Sequence, residues 1–273
     1  MKIISLGMGV QSTALYYMSS MGEIDRADYA IFADTGAEKS VTIEYYHKLD
    51  KWQKQNNGIP IIRIVKKNIL NDLLNKQNSS GTRIASLPAF SKTGMLRRQC
   101  TSEYKIYQID KQIKEIYGLT KYARYPKTEI WFGITLDEAS RMAIPQQGWK
   151  INVYPFIGYK IHRDCKQEHM GIENPVRRSG LINWYDNNNI EQPVKSACYF
   201  CPFQSDKSWI DTKNNYPDDW DNAIKVDNAI RDSSKRGIRD KIYVHRSAIP
   251  LKDVKFDESQ TDFWGECSGN CHI

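Results

Sequence analysis

The sequence predicts an α/β protein, a parallel sheet flanked by helices, with a helical cysteine-containing C-terminal region. Three observations carry that expectation. Short apolar runs alternate with longer amphipathic runs from Lys2 to Ile134. The first apolar run passes through Gly7-Met8-Gly9-Val10-Gln11 into a helical stretch beginning at Ser12. Polar segments then follow the strand-like runs, at the sheet edge where α/β folds gather ligands.

In chain order, residues 2–6 read as a buried strand and residues 12–21 as a helix with Ala14, Leu15 and Met18 inward. Two glycines permit a tight turn between them. Ser5, near the end of the strand, is a candidate nucleotide-binding residue, and a helix N-terminus with Ser12 as cap suits a nucleotide phosphate. Tyr29 to Ala33 is a second strand, ending in Asp34-Thr35-Gly36. Strand, helix and strand in that order make a βαβ unit with a right-handed crossover. Residues 39–57 read as an amphipathic helix through Val41, Ile43, Tyr45, Leu49 and Trp52. Residues 61–65 are a third strand, and 68–76 another helix. Residues 77–96 are rich in Gly, Pro, Ser and Thr and read as a long surface loop. Arg97-Arg98-Gln99-Cys100-Thr101 ends it, and a helix resumes over 102–116. Residues 129–134 form a fourth strand, followed by a turn to Arg141 in which Thr135 and Glu138 are spaced as a capping box. Residues 171–192 read as a polar insertion, 206–233 as two helices parted near Pro217, and the tail from Pro250 as irregular. The expected division is a nucleotide-binding core over 1–160 and a cysteine-containing region over 161–273.

Composition limits the classes. The chain has 273 residues, 40% hydrophobic and 26% charged, enough for a sizeable core. No apolar run reaches the roughly 18 residues of a membrane span, and residues 1–20 lack a signal-peptide layout. The expectation is a cytoplasmic protein with no membrane partner. A formal charge of +7 suits an anionic ligand, either nucleotide or nucleic acid, and equally an ordinary basic surface.

The residues that bear chemistry fall into three groups. Gly7, Gly9, Gln11, Ser12, Asp34, Gly36, Gly133, Arg98 and Arg141 belong to segments expected at one sheet edge. There the arginines grip phosphate or sulfate by charge-assisted bonds, and Lys105 lies a helical turn beyond Cys100. Cys198-Tyr-Phe-Cys201 is a CxxC, in a reducing compartment a metal or redox pair. Cys100 and Cys165 are the natural candidates to complete a four-ligand set, for an iron–sulfur cluster or for zinc, with the tail cysteines as alternatives. Cys267 and Cys271 close the chain, where one thiol can attack and a second resolve the product as a disulfide.

Together these motifs resemble the phosphoadenosine phosphosulfate reductase family of the PP-loop, adenine nucleotide alpha-hydrolase-like superfamily. Gly7-Met-Gly-Val-Gln-Ser12 is similar to its PP-loop, and Phe32-Ala-Asp-Thr-Gly36 to its second-strand signature. Arg98-Gln-Cys-Thr-Ser-Glu-Tyr-Lys105 resembles its Cys/Lys helix, Cys198-Tyr-Phe-Cys-Pro202 its CxxC, and Glu266-Cys267 its tail. The resemblance implies a HUP-type, Rossmann-like sheet, an adenine nucleotide as substrate and Cys267 as nucleophile toward sulfate sulfur. It also implies a thioredoxin-like reductant, and in cluster-bearing members a [4Fe-4S] centre. Two departures stand out. Gln99-Cys100 supplies one thiol where those members have a pair, and Gln11 stands where ATP-using members usually carry an acid.

Three functions follow as expectations. The first is thiol-dependent reduction of a sulfonucleotide to sulfite. The second is an ATP-dependent sulfur transferase that thiolates tRNA or DNA, with a cluster, a persulfide or a sulfur-donor partner delivering the sulfur. The third is a nucleotide-binding sensor without turnover.

Overall fold

The computed structural model describes residues 1–75, 88–96, 100–120, 122–171, 174–234 and 238–257. The chain forms two compact units that interleave along the sequence, whereas the sequence reading divides it once, at residue 160. One unit holds Met1–Ala33, Val41–Ile64 and Ile109–Ser196; the other holds Asp34–Ser40, Val65–Gln108 and Ala197–Ile273.

The first unit carries a seven-stranded sheet of β1 (Lys2–Ser5), β2 (Tyr29–Ala33), β3 (Ile61–Ile64), β6 (Thr128–Trp131), β7 (Lys150–Tyr154), β8 (Tyr159–Ile161) and β9 (Gln167–His169), in the order β3-β2-β1-β6-β7-β8-β9. The first five pair in parallel, and β8 and β9 add antiparallel at one edge. The α/β class and the parallel sheet therefore stand, in a form compatible with a Rossmann-like fold. The strands are buried on both faces because alternate residues serve different cores. Ile4, Phe32, Trp131 and Val153 pack with α1 (Val10–Met21), α2 (Ser40–Gln55) and α5 (Arg178–Asn187). Ile3, Ile31 and Ile130 pack with Ile109 and Ile113 of α4 (Tyr107–Ile116). Helix α1 stops at Gly22, whose φ of 82° is cheap for glycine and lets its N–H return to Met18.

The second unit contains α3 (Ile69–Asn75), the two-stranded hairpin β4 (Phe90–Ser91) and β5 (Gly94–Met95), α6 (Asp206–Asn215) and α7 (Pro217–Ile230). Its core is aromatic, with Phe200, Trp209 and Trp220 among its buried side chains. Ser205 caps α6 by accepting the Ser208 N–H, and Pro217 opens α7, where its missing N–H costs nothing. Buried Asp227 on α7 accepts the N–H groups of Val244 and Leu251, fixing the irregular segment that follows.

Several elements differ from the sequence reading. Helix α1 starts at Val10, with Gly9 rather than Ser12 at its cap. The 102–116 helix begins with a π-helical turn over Ser102–Ile106. Part of the expected loop over 77–96 is the β4–β5 hairpin, and the expected polar insertion over 171–192 contains α5. Strands β7, β8 and β9 had no counterpart in the reading. Among the described residues, no helix is long and apolar enough to cross a membrane.

Candidate nucleotide site and thiol cluster

In the first unit the sheet order reverses between β1 and β6, which makes the crevice beyond their carboxyl ends the topological switch point. The loop Gly7–Ser12 leaves β1 there, and Gly133 to Thr135 leave β6 beside it. The loop is shaped by its own residues. Ser12 Oγ accepts the Gly7 N–H at 3.1 Å and donates to the Gly9 carbonyl at 3.3 Å. Met8, not a glycine, takes the left-handed conformation, with φ of 57°. That costs about 1 kcal/mol, offset by burying the Met8 side chain in the core. Gly9 is extended, and a side chain there would meet no protein atom within 4 Å. The chain's own packing therefore does not demand glycine at position 9. The N-terminus of α1 has no side-chain cap and no acid in its first turn.

Gly133 is required by packing. A Cβ at this position would lie 2.7 Å from the Gln11 backbone and from Ser12 Cα, so only glycine lets the two loops meet. Gln11 completes the join by donating to Thr135 Oγ1 at 2.9 Å. The expected capping box does not form. The Thr135 hydroxyl is taken by Gln11, no side-chain bond caps the following turn, and the Glu138 carboxylate pairs with Arg141. Ser5 is buried at the end of β1. Cys165 lies in the β8–β9 turn of this unit, exposed and left-handed with φ of 66°.

The second unit assembles Asp34, Gly36, Lys105, Cys100, Cys198 and Cys201. Asp34 Oδ1 accepts the Gly36 N–H at 2.8 Å, and Gly36 turns with φ of 76°. The Asn68 side chain stands 2.6 Å from where a Gly36 Cβ would be. The next residues pair with the CxxC segment: Lys39 N–H donates to the Ala197 carbonyl at 3.3 Å and Tyr199 N–H to the Ala37 carbonyl at 3.0 Å. Cys198 and Cys201 close a turn through a 2.9 Å bond from the Cys201 N–H to the Cys198 carbonyl. The Thr35 hydroxyl lies 3.3 Å from Cys198 Sγ and donates to Glu38 Oε1 at 3.1 Å.

Glu38 is the residue that sequence reasoning missed. Its side chain is 0% exposed and lies 3.6 Å from the Lys105 ammonium, which is 20% exposed. Burial works against the charge on Lys105, but Glu38 and the neighbouring Cys198, Cys100 and Cys201 outweigh it and hold the ammonium above its ordinary range. Burial also pushes the Cys198 thiol well up, with Glu38 adding to that and Lys105 opposing it. The available signal was the spacing Thr35-x-x-Glu38, the pattern of a local hydroxyl–carboxylate pair.

The four expected metal ligands are divided between the two units. Cys165 belongs to the first unit and the other three to the second. Cys198, Cys100 and Cys201 of the second unit are all close enough to Lys105 to act on its charge. Among the described residues, no group of three or more His, Cys, Asp or Glu side chains is arranged to hold a metal ion. Arg98, Cys267 and Cys271 lie outside the described residues.

No protein-family model matches the chain, and no curated protein or solved structure matches it either.

Proposed function

We propose that this chain is an adenine-nucleotide-binding enzyme of the PP-loop type, which uses a thiol to reduce a sulfonucleotide to sulfite. The observation that carries the nucleotide reading is the β1–α1 loop at the switch point. Its backbone is shaped internally by Ser12, space is open beside Gly9, and the α1 N-terminus carries no side-chain cap. The neutral Gln11 amide, bonded to Thr135, adds no negative charge beside a phosphate or sulfate. The adenine and sulfur parts of the proposal rest on the motif resemblance.

The chemistry balances as three displacements at sulfur. The Cys267 thiolate attacks the sulfate sulfur, the bond from sulfur to the bridging phosphate oxygen breaks, and the nucleotide leaves as its phosphate. Cys267 then carries an S-sulfonate. A dithiol protein of the thioredoxin type attacks the Cys267 sulfur and expels sulfite. Its second thiol resolves the mixed disulfide, supplying the two electrons in all. The test is sulfite release from adenylyl sulfate and from its 3'-phosphorylated form, with a dithiol reductant. Release by the full chain and none by Cys267→Ser is the expected result. An undiminished rate in that variant overturns the assignment of Cys267.

One observation favours a second reading, ATP-dependent sulfur transfer to a nucleic acid: the excess of 39 basic over 32 acidic residues. Exchange of pyrophosphate into ATP, with no sulfite from either sulfonucleotide, would select it.

A further inference from the structure

We propose that the opposite edge of the first unit, at the amino ends of β6 and β7, is a binding site for single-stranded nucleic acid. A cavity of about 330 Å³ opens there, lined by Lys127, Gly148, His162, Arg163 and Asp164. Topology fixes its place. Lys127 immediately precedes β6, Gly148 lies two residues before β7, and β8 runs antiparallel, so its end at Ile161 returns His162 and Arg163 to that same edge. The Gly7–Ser12 loop leaves the carboxyl end of β1, which is parallel to β6. The two sites therefore lie at opposite ends of the strands, and the inference does not depend on the proposed reaction.

The charge at this edge is net positive, with Lys127 and Arg163 against Asp164 along the cavity. Many basic side chains elsewhere in the unit are matched with acids: Lys2 with Asp25, Lys48 with Glu191, Lys150 with Asp110, Lys160 with Glu129, Lys166 with Glu168 and Arg177 with Asp137, whereas Arg26, Lys51, Lys111 and Lys114 are not, among the described residues. Arg124, Lys127 and Arg163 are exposed and form no ion pair among the described residues; the Lys127 ammonium donates only to the Gly148 carbonyl, at 2.6 Å. The one acid lining the cavity, Asp164, accepts the Lys166 N–H at 3.2 Å. Glu168 lies 3.3 Å from His162 Nε2 and 2.8 Å from Lys166.

Aromatic rings alternate with these cations. Tyr125 stacks on Trp149 with ring centroids 4.4 Å apart and planes 15° from parallel, and Tyr122 is 88% exposed. Tyr125 and Trp149 are partly buried against the apolar cluster of Ile3 and Ile130, so in this segment Tyr122 is the ring exposed beside the cations Arg124 and Lys127. A strand with accessible base faces and a phosphate at every nucleotide matches both features. A duplex, whose base faces are stacked away, matches only the charges.

The test is fluorescence anisotropy of a labelled, mixed-sequence single-stranded oligonucleotide with the full chain across a salt series. Replacing Arg124, Lys127 and Arg163 together by Gln should weaken binding and lower the salt slope by about two, since each phosphate neutralised on a single strand contributes about 0.7. Tyr122→Ala should weaken binding by about fivefold or more through lost base stacking. Adenine-nucleotide binding should be unchanged in both variants, which separates failure of this site from failure of the nucleotide reading. All four side chains are exposed, and matching thermal melts confirm that the variants fold. The proposal is overturned by no binding at low salt, by an unchanged slope in the triple variant, by equal affinity for a duplex, or by full displacement with millimolar inorganic phosphate.

Discussion

At Gly133 a single methyl group decides whether two loops can meet. Gly133→Ala places a Cβ 2.7 Å from the Gln11 backbone, so the Gly7–Ser12 loop must move. The expected cost is about 1–3 kcal/mol in urea unfolding, together with weaker nucleotide binding by calorimetry. Gly9→Ala has the opposite profile. A Cβ there meets no protein atom, so stability should change by no more than about 1 kcal/mol, the difference between glycine and alanine at a helix N-cap. Nucleotide affinity should nevertheless fall at least tenfold, a change of about 1.4 kcal/mol. Wild-type affinity in Gly9→Ala would remove position 9 from the phosphate cradle. Glu38→Gln addresses the other unit. It leaves the Lys105 ammonium beside a neutral amide, and the cost should be about 2–3 kcal/mol. That is near the low end for a broken buried pair, because the 3.6 Å separation is long and Lys105 keeps a fifth of its side-chain surface. Unfolding free energy unchanged within about 0.5 kcal/mol would show that the pair is not stabilising.

At the scale of elements, the first residue of α6 anchors a polar node. Asp206 Oδ1 accepts from Arg246 and lies 3.3 Å from His245 Nε2, and its Oδ2 accepts the Asp257 N–H at 2.9 Å. Burial holds the His245 imidazole below its ordinary range, although Asp206 pulls the other way. A histidine kept neutral in the fold binds its proton more readily when unfolded. Its contribution to stability is therefore complete above about pH 6.5, the unfolded value, and is lost as pH falls below that. The melting temperature should drop between pH 7.5 and 5.5, and His245→Asn should flatten that slope. An equal slope in the variant would place the effect elsewhere. Asp206 acts in a separate, more acidic window. The Asp257 N–H, Arg246 and His245 hold its carboxyl below the usual range against burial, so its contribution is present above about pH 3.9 and fades below. The elements that were legible in the sequence are those whose buried residues are mostly apolar, such as β1, β2 and α2. Strand β7 was not, because Lys150 and Asn152 interrupt its pattern. The fold satisfies both from other segments, Lys150 through Asp110 at 2.5 Å and Asn152 through the Ala143 carbonyl at 2.8 Å. Helix α5 was hidden by its Asn and Asp content, since only Leu181 and Tyr185 on it are buried. The β1–α1 turn was legible because Gly7, Gly9 and Ser12 mark it by local backbone chemistry. The partnership of Glu38 with Lys105 joins residues far apart in sequence.

At the scale of the molecule, the proposed nucleotide site makes a thermodynamic claim that needs no assumption about the reaction. A ligand that binds only the folded chain stabilises it by about 2.7 kcal/mol at a hundred times its Kd. For 273 residues melting as one transition, that raises the midpoint by about 5 °C. Adenylyl sulfate, its 3'-phosphorylated form and ATP, compared in one melting series, should therefore separate by affinity, with sulfate alone giving a smaller shift. The chain in which Arg124, Lys127 and Arg163 are replaced by Gln should show the same nucleotide-induced rise, because those side chains sit at the amino ends of the strands and the cradle at the carboxyl ends. Gly9→Ala should lose about half of it or more. If only part of the chain melts at the higher temperature, the two units unfold separately and the shift belongs to the one containing the β1–α1 loop. A melting curve unmoved by millimolar concentrations of all three nucleotides would remove the nucleotide site from the first unit and, with it, the basis for the proposed reduction.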